Sequence, residues 1–505
     1  MSPFRKYIMN HLSQEEFLKL SSHGNLIPVY REIAGDLETP VAAYYKLAKK
    51  SKYSFLLESV EGEEKVARYS FIARDPELVF TSKGHEAQIV RFAKGKHTPE
   101  KISFEGSPLS VVRELMKDYK AVEVKGLPKF YGGMVGYLSY DCVRFFERLP
   151  DTKPDDLKLP DVCLTLSRHL VIFDHRHHTI KVVSCVHLSK NDSREAKIKK
   201  YKQAQQIIEG LIADLQKPLA IPKVKKTSKK ISVTSNCTKA QYEKMVIKGK
   251  AHIKAGDIFQ IVLSQRFTAN ISVDAFEIYR QLRVLNPSPY MFYLNFNGLQ
   301  LVGASPELLV RCEDGLAETR PIAGTRPRGN NEAEDQAYIK SLLADPKEKA
   351  EHIMLVDLGR NDLGRVCEKG TVRLSEFMNI EKYSHVMHIV SNVQGNLRQG
   401  LDGLDVLQAA FPAGTLSGAP KIRAMEIIED LEPQKRGPYG GCVGILSFSK
   451  NLDTCITIRT IVVHKAKAYV QAGAGIVADS DPATEYTETV NKAKAQLRAI
   501  ELAHA

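Results

Sequence analysis

The spacing of apolar positions changes repeatedly along the chain, and each change marks a different element. Residues 14–21 and 40–50 have the pattern of short helices, and 194–215 reads as an amphipathic helix. A helix over 238–254, stopped by Gly256, leads into DIFQIVLSQRF (257–267). Period-two alternation in that strand puts Gln260, Val262, Ser264 and Arg266 on one face. Further helices are predicted at 274–284, 331–357, 402–410, 420–430 and 482–503. LLESVEGEEKVARYSFIARD (56–75) reads as strand, polar turn, strand, and 130–147 as a strand running into a short helix. HLVIFDHRHHTIKVVSCVHL (169–188) has the form of a hairpin. NPSPYMFYLNFNG is a turn followed by a strand, and 299–315 is a hairpin-like pair. Strands are also expected at 441–449, 454–463 and 467–477. Helices and antiparallel pairs mix without regular βαβ alternation, so the class is α+β.

Composition narrows the function classes. A chain of 505 residues, 43% hydrophobic and 26% charged, can fill two or three domains. No apolar run reaches membrane-spanning length. MSPFRKYIMNHLSQEEF lacks the apolar core of a signal peptide. The eight cysteines are scattered without a CxxC pair, the pattern of reduced thiols in a cytoplasmic protein. Much of the net charge of +13 lies in residues 194–230, where eleven Lys or Arg face three acids. Within it, KPLAIPKVKKTSKK reads as a solvated linker. The boundary falls there, giving an N-terminal region 1–222, a basic linker 217–237 and a second domain 238–505. Tryptophan is absent, which hints at an enzyme needed when tryptophan is scarce.

The chemistry concentrates in Gln471–Lys492. Glycines at 473 and 475 interrupt a strand, where something must come close to the backbone. The Asp–Pro start of the next helix leads to Glu485 and Glu488 on one face, with Lys492 a turn further on. A second Asp–Pro start at 345 leads to Glu348 and Glu351. Four such acids would suit Mg²⁺, which prefers oxygen ligands. Each pair also has an ordinary account: acids favour a helix start, Glu348 could complete a capping box, and Glu488–Lys492 could be a surface pair. The histidines 175, 177 and 178 lack a complete ligand set and fit a polar turn. GGCVG around Cys442 lacks a general base nearby, so a buried strand cysteine is expected. SHVMHIVSNVQG places His385 and His388 in an apolar strand.

PIAGTRPRG, AEHIMLVDLGRND, HVMHIVSNVQG, FPAGTLSGAPK, GPYGG, TIRT and GAGIVADSDPATEYTET, in this order over about 238–495, resemble the chorismate-utilising enzymes. With LLES (56–59) and RYSF (68–71), the first half resembles the anthranilate synthase component I branch. The resemblance implies two large, mainly antiparallel sheets packed face to face with helices outside, an α/β/β/α sandwich. It implies Mg²⁺ on Glu351 and Glu488, with Glu348 and Glu485 acting through water. Tyr439 and Arg459 match positions that hold the enolpyruvyl carboxylate. Backbone near Gly473, Ala474 and Gly475, with Lys492 and Thr325, would complete an anion cradle. Glu307 matches the general acid for the leaving hydroxyl, and His388 a histidine linked to pyruvate elimination.

Two positions separate the branches. Water-adding relatives carry a lysine base where this chain has Gln260, and the aminodeoxychorismate branch usually carries a nucleophilic lysine at Ala323. The combination implies direct amination by ammonia. No glutaminase region is visible, so a partner amidotransferase subunit, anthranilate synthase component II, is implied, giving a hetero-oligomer. LLES and NPSPYMF match a tryptophan feedback pocket of Glu58, Ser59, Pro289, Tyr290 and Met291. The alternative is component I of aminodeoxychorismate synthase. A non-catalytic nucleic-acid-binding protein, using the basic segment, is a remote one. No nucleic acid and no membrane are expected as partners.

Overall fold

The computed structural model describes residues 11–59, 68–93, 96–220, 231–383 and 386–505. Among them are two twelve-stranded sheets. In strand order, the first runs Leu26–Ala34, Thr179–His187, His169–Asp174, Tyr69–Arg74, Tyr53–Glu58, Tyr290–Phe296, Leu299–Ser305, Thr460–His464, Lys467–Ile476, Gln260–Asn270 and Val233–Ser235. Gly418–Ala419 adds to the Gln260 end. The second runs Ile322–Pro327, Val386–Asn396, Leu316–Thr319, Leu308–Glu313, Leu452–Ile456, Cys442–Ser447, Gly133–Leu138, Val162–Ser167, Leu78–Lys83, Glu86–Ala93 and Lys96–Ser103. Arg373–Lys382 pairs with Val386–Asn396. Every pairing between these strands is antiparallel, and helices cover the sheets, as the α+β sandwich expectation required.

The inner faces meet in one apolar core. Leu170, Ile172, Phe292, Leu294 and Leu301 of the first sheet share it with Phe80, Val135, Tyr137 and Leu166 of the second. Helix Arg194–Leu215 covers the outer face of the first sheet through Tyr201, Ala204, Ile208 and Leu211. So this half of the basic segment is an ordinary amphipathic helix, while 221–230 lies outside the described residues. Both sheets take strands from both sides of the 217–237 linker. The division drawn there is one of sequence, not of layers.

Three stretches differ from their expected form. Residues 331–357 are not one helix but two, Glu332–Ala344 and Pro346–Gly364, because Asp345 ends the first and caps the second before Pro346. Residues 299–315 are not a hairpin. Leu299–Ser305 belongs to the first sheet and Leu308–Glu313 to the second, the chain crossing at Pro306–Glu307. Residues 454–463 are likewise not one strand. Leu452–Ile456 lies in the second sheet and Thr460–His464 in the first, with a crossing at 457–459. The flanking strands are buried along most of their length, so periodicity does not tell a change of sheet from a turn within one sheet.

The crossings lie side by side. Ile456 N–H donates to Glu307 O at 3.0 Å, Ala304 N–H to Arg459 O at 3.2 Å, and Ser305 Oγ to Ile456 O at 2.7 Å. Arg459 takes a left-handed φ of +52° to make the second crossing, a conformation non-glycine residues seldom adopt.

Candidate active site

The crossings place a carboxyl beside a cation. Glu307 is 8% exposed, and burial pushes its carboxyl up to about 8. The Thr415 hydroxyl and the charges of Arg459 and Lys492 oppose that rise. Arg459 is held below the usual guanidinium range by burial, against the pull of Tyr439, Glu488 and Glu307. Among the described residues its guanidinium has no hydrogen bond or ion pair of its own. A cation with its donors unspent, next to a protonated carboxyl, is equipped to receive an anion.

Gly473 and Gly475 lie on the Lys467–Ile476 strand opposite Ser264 and Val262. A Cβ on Gly473 would stand 2.8 Å from the Tyr439 hydroxyl, and one on Gly475 2.7 Å from Gln260 Nε2. Gly473 excludes a side chain, because the Leu263 carbonyl also lies 2.9 Å away, whereas a Cβ on Gly475 would only have to displace the end of the Gln260 side chain. The Thr460–His464 strand pairs no further along than Val470, leaving that edge of 471–476 unpaired by a strand. Lys492 Nζ donates to Gly473 O at 3.1 Å on the open edge. A residue in an antiparallel strand points N–H and C=O to the same side, so the N–H groups of Gly473 and Gly475 face that edge too. Ala474 points the other way, fully buried in a separate apolar cluster.

The four glutamates come from helices Pro346–Gly364 and Pro482–His504, each started by aspartate and proline. Burial raises the Glu351 carboxyl, with Glu348 and Glu488 adding to the rise while Lys492 and the Gln260 amide oppose it. Burial raises Glu485 too, against the Ser480 hydroxyl and with Glu488 adding to it. Its Oε2 is buried without a partner. Glu488 binds Lys492 at 2.5 Å, and Glu348 accepts from Arg326 at 3.1 Å. Among the described residues no three His, Cys, Asp or Glu side chains stand together at metal-binding spacing. The donor chemistry nevertheless fits a hard cation: carboxylates raise one another's proton affinity, and an orphaned oxygen is left over.

His388 Nδ1 contacts Thr325 Oγ1 and Gly324 O, each at 3.0 Å, and burial lowers its pKa. Arg459 adds to that lowering, so His388 belongs to the same cluster. His385 lies outside the described residues. Gln260 is 4% exposed with Oε1 buried and unpartnered.

The effector positions lie on neighbouring strands. Glu58 stands opposite Met291 and accepts from the Tyr279 hydroxyl and, at 3.1 Å, from Arg283 Nε. Ser59 Oγ is buried without a partner, Pro289 is buried, and the Tyr290 hydroxyl donates to Asp453 at 3.0 Å.

The chain matches the family of chorismate binding enzymes over residues 52–498. It belongs to that family. It is 48% identical to "Anthranilate synthase component 1" of Acetivibrio thermocellus over 94% of this chain and 96% of that one. The same-named protein of Aquifex aeolicus is 47% identical over 98% of each. The crystal structure of anthranilate synthase component I from Streptococcus pneumoniae superposes with a TM-score of 0.74 at 36% identity, covering 92% of this chain and 98% of that one. The chain is thus an enzyme of this family, a lyase. Among its described residues no helix is long and apolar enough to cross a membrane.

Three contributors escaped sequence reading. Arg326, inside the quoted GTRPRG, ties Glu348 to Asp345, donating to the latter at 2.9 Å. Thr415, inside FPAGTLSG, faces Glu307. Arg436 binds Glu432 at 2.7 Å, and its guanidinium lies 5.6 Å from the Tyr439 ring. All three lie in or beside quoted motifs, but only the tertiary contacts give them roles. Cys442 is a buried strand cysteine, as expected.

Proposed function

We propose that the protein is the chorismate-aminating subunit of an anthranilate synthase, converting chorismate and ammonia to anthranilate and pyruvate. The observation that carries this reading is the buried Glu307 carboxyl, kept protonated near neutral pH beside the unspent guanidinium of Arg459. A neutral carboxyl can donate a proton to a leaving hydroxyl, and a half-buried guanidinium with free donors can hold a carboxylate in place.

Arg459 and the Tyr439 hydroxyl hold the enolpyruvyl carboxylate, while the open N–H groups of Gly473 and Gly475, with Lys492 and Thr325, cradle the ring end. Glu307 gives its proton to the departing C4 hydroxyl as ammonia attacks C2. Gln260, an amide that cannot act as a base, positions the nucleophile through its free Oε1. His388 is lowered toward the neutral form and so is available to accept a proton as pyruvate is eliminated. Mg²⁺ on Glu351 and Glu488, with Glu348 and Glu485 behind them, would supply charge neutralisation at the ring carboxylate.

Ammonia is supplied by a partner amidotransferase component acting on glutamine. Tryptophan inhibits by placing its amine against Glu58 and its indole against Pro289, Tyr290 and Met291. Support for the amination branch comes from Gln260 and Ala323, where a hydroxylating base and a covalent nucleophile would otherwise stand. The test is incubation with chorismate, Mg²⁺ and ammonium, followed by anthranilate fluorescence. Accumulation of aminodeoxychorismate instead would assign the other branch.

A further inference from the structure

Ile322–Pro327 and Arg373–Lys382 flank Val386–Asn396, and His388 stands between Thr325 of one and Glu381 of the other. The first pairing is not regular. Ala323 faces Ile389 and Thr325 faces His388, so Gly324 is an extra residue, a bulge with φ at +70°. A bulge takes one residue out of the ladder, and here the Gly324 carbonyl meets His388 Nδ1 at 3.0 Å. A carbonyl can only accept, so Nδ1 carries the hydrogen. In a neutral ring the lone pair is then on Nε2, which has no hydrogen bond among the described residues. Burial keeps the ring toward that neutral form, against the pull of the carbonyl.

That bond fixes the tautomer but leaves the ring free to swing about it. Tyr383 supplies the second constraint. Its ring meets the imidazole edge-on, with centroids 5.6 Å apart and planes at 62°, an arrangement that aromatic quadrupoles favour. Its hydroxyl donates to one oxygen of Glu381 at 2.7 Å. Arg320 holds the other oxygen of Glu381 and also donates to Glu376 at 3.1 Å. Arg320 lies at the turn into Ile322–Pro327. One run of chain, Arg320–Thr325, thus carries both the anchor of the tyrosine and the bulge, and the imidazole is held from the strands on both sides of it.

We propose that Tyr383 is a positioning residue for His388, holding the imidazole so that Nε2 faces the C2 hydrogen of the aminated ring. This rests on His388 being the base for pyruvate elimination, as proposed above. In that step Nε2 takes the C2 proton, the C2–H electron pair becomes the C2–C3 double bond, and the C3–O bond breaks. Its electrons leave with the enolate of pyruvate, which takes up one proton. The ring becomes aromatic, and no oxidant or reductant is needed. Amination precedes this step and draws on Glu307, not on the tyrosine.

The test is how the aminated ring divides between two fates: release into solution with its enolpyruvyl group still attached, and conversion to anthranilate. Both are measured by chromatography during turnover of chorismate with Mg²⁺ and ammonium. Tyr383 is half-buried at the sheet edge, and chorismate consumption reports whether a variant is folded. Tyr383→Leu should raise the released fraction about tenfold. Tyr383→Phe keeps the ring and should stay within about threefold of wild type. A merely structural role would slow both products together, so an unchanged division in Tyr383→Leu, at whatever rate, would overturn the assignment. His388→Ala should release a larger fraction than Tyr383→Leu does. If His388→Ala divides its intermediate as the wild type does, the base reading itself fails, and this proposal falls with it.

Discussion

Glu307 and Arg459 sit on strand crossings inside the sandwich, whereas Glu351 and Glu488 sit near the starts of two helices that pack on different sheets. Helix Pro482–His504 lies against the Lys467–Ile476 strand of the first sheet, and Pro346–Gly364 against Ile322–Pro327 and Val386–Asn396 of the second. The crossings are fixed by backbone hydrogen bonds in both directions and need nothing further to hold their geometry. The helix carboxylates crowd one another, and two are occupied meanwhile by Lys492 and Arg326. One end of the site is thus held by the backbone alone, while the other, under the proposed function, would be assembled by a cation. Mutations at the acid end should therefore act independently of the cation, and those at the carboxylate end through cation binding as well.

The largest effect is expected at the built end. Glu307→Gln should cut kcat by about a thousandfold, and wild-type kcat should decline as pH rises through about 8. The same carboxyl bears on stability. Its folded pKa lies above the unfolded value, so its contribution is complete below about 4.5 and is lost as pH rises through about 8. The glutamine variant should melt higher than wild type at pH 9, by roughly 2 °C. A kcat that ignores pH between 6 and 9 would remove Glu307 as the acid.

At the assembled end, Glu488→Gln should lower Mg²⁺-dependent turnover by about a hundredfold. Mg²⁺ should raise the melting temperature of the wild type and not of the variant. Equal shifts in both proteins would place the cation elsewhere. Arg459→Lys tests whether the guanidinium fork matters or only its charge. KM for chorismate should rise about tenfold, with kcat less affected; a pure kcat loss would argue that Arg459 is not a binding group. The smallest change lies outside both ends. Ser59→Ala should leave turnover alone and weaken tryptophan inhibition about tenfold. Inhibition of unchanged strength would sink the effector assignment at Ser59.

How much of this was legible beforehand follows the same division. The helix starts at Asp345–Pro346 and Asp481–Pro482 announce themselves, since aspartate caps and proline suits the first turn. The carboxylate spacing on them could be read directly. Gly473 and Gly475 stood out because glycine is costly in a strand without a reason. The crossings left no mark so plain. Ser-Pro-Glu at 305–307 marks a break in Leu299–Glu313, but a break reads as a hairpin turn as readily as a change of sheet, and nothing local says that Ser305 pairs with Tyr290 while Leu308 pairs with Cys455. The closeness of Glu307 to Arg459 is a product of pairings made across about 150 residues of sequence, which only the assembled sheets express.

The crossings also bear on how the chain can fold. Tyr53–Glu58 must find Tyr290–Phe296, and Gly133–Leu138 must find Cys442–Ser447. Between them the chain changes sheet at Pro306–Glu307 and again at 457–459, so each sheet can close only as the other does. Either half of the sequence expressed alone would leave long unpaired strand edges, which invite aggregation. Glu307 and Arg459 would then meet only in a chain whose two sheets have both closed, so an acid without its cationic neighbour is a state that no partly folded chain can use for catalysis.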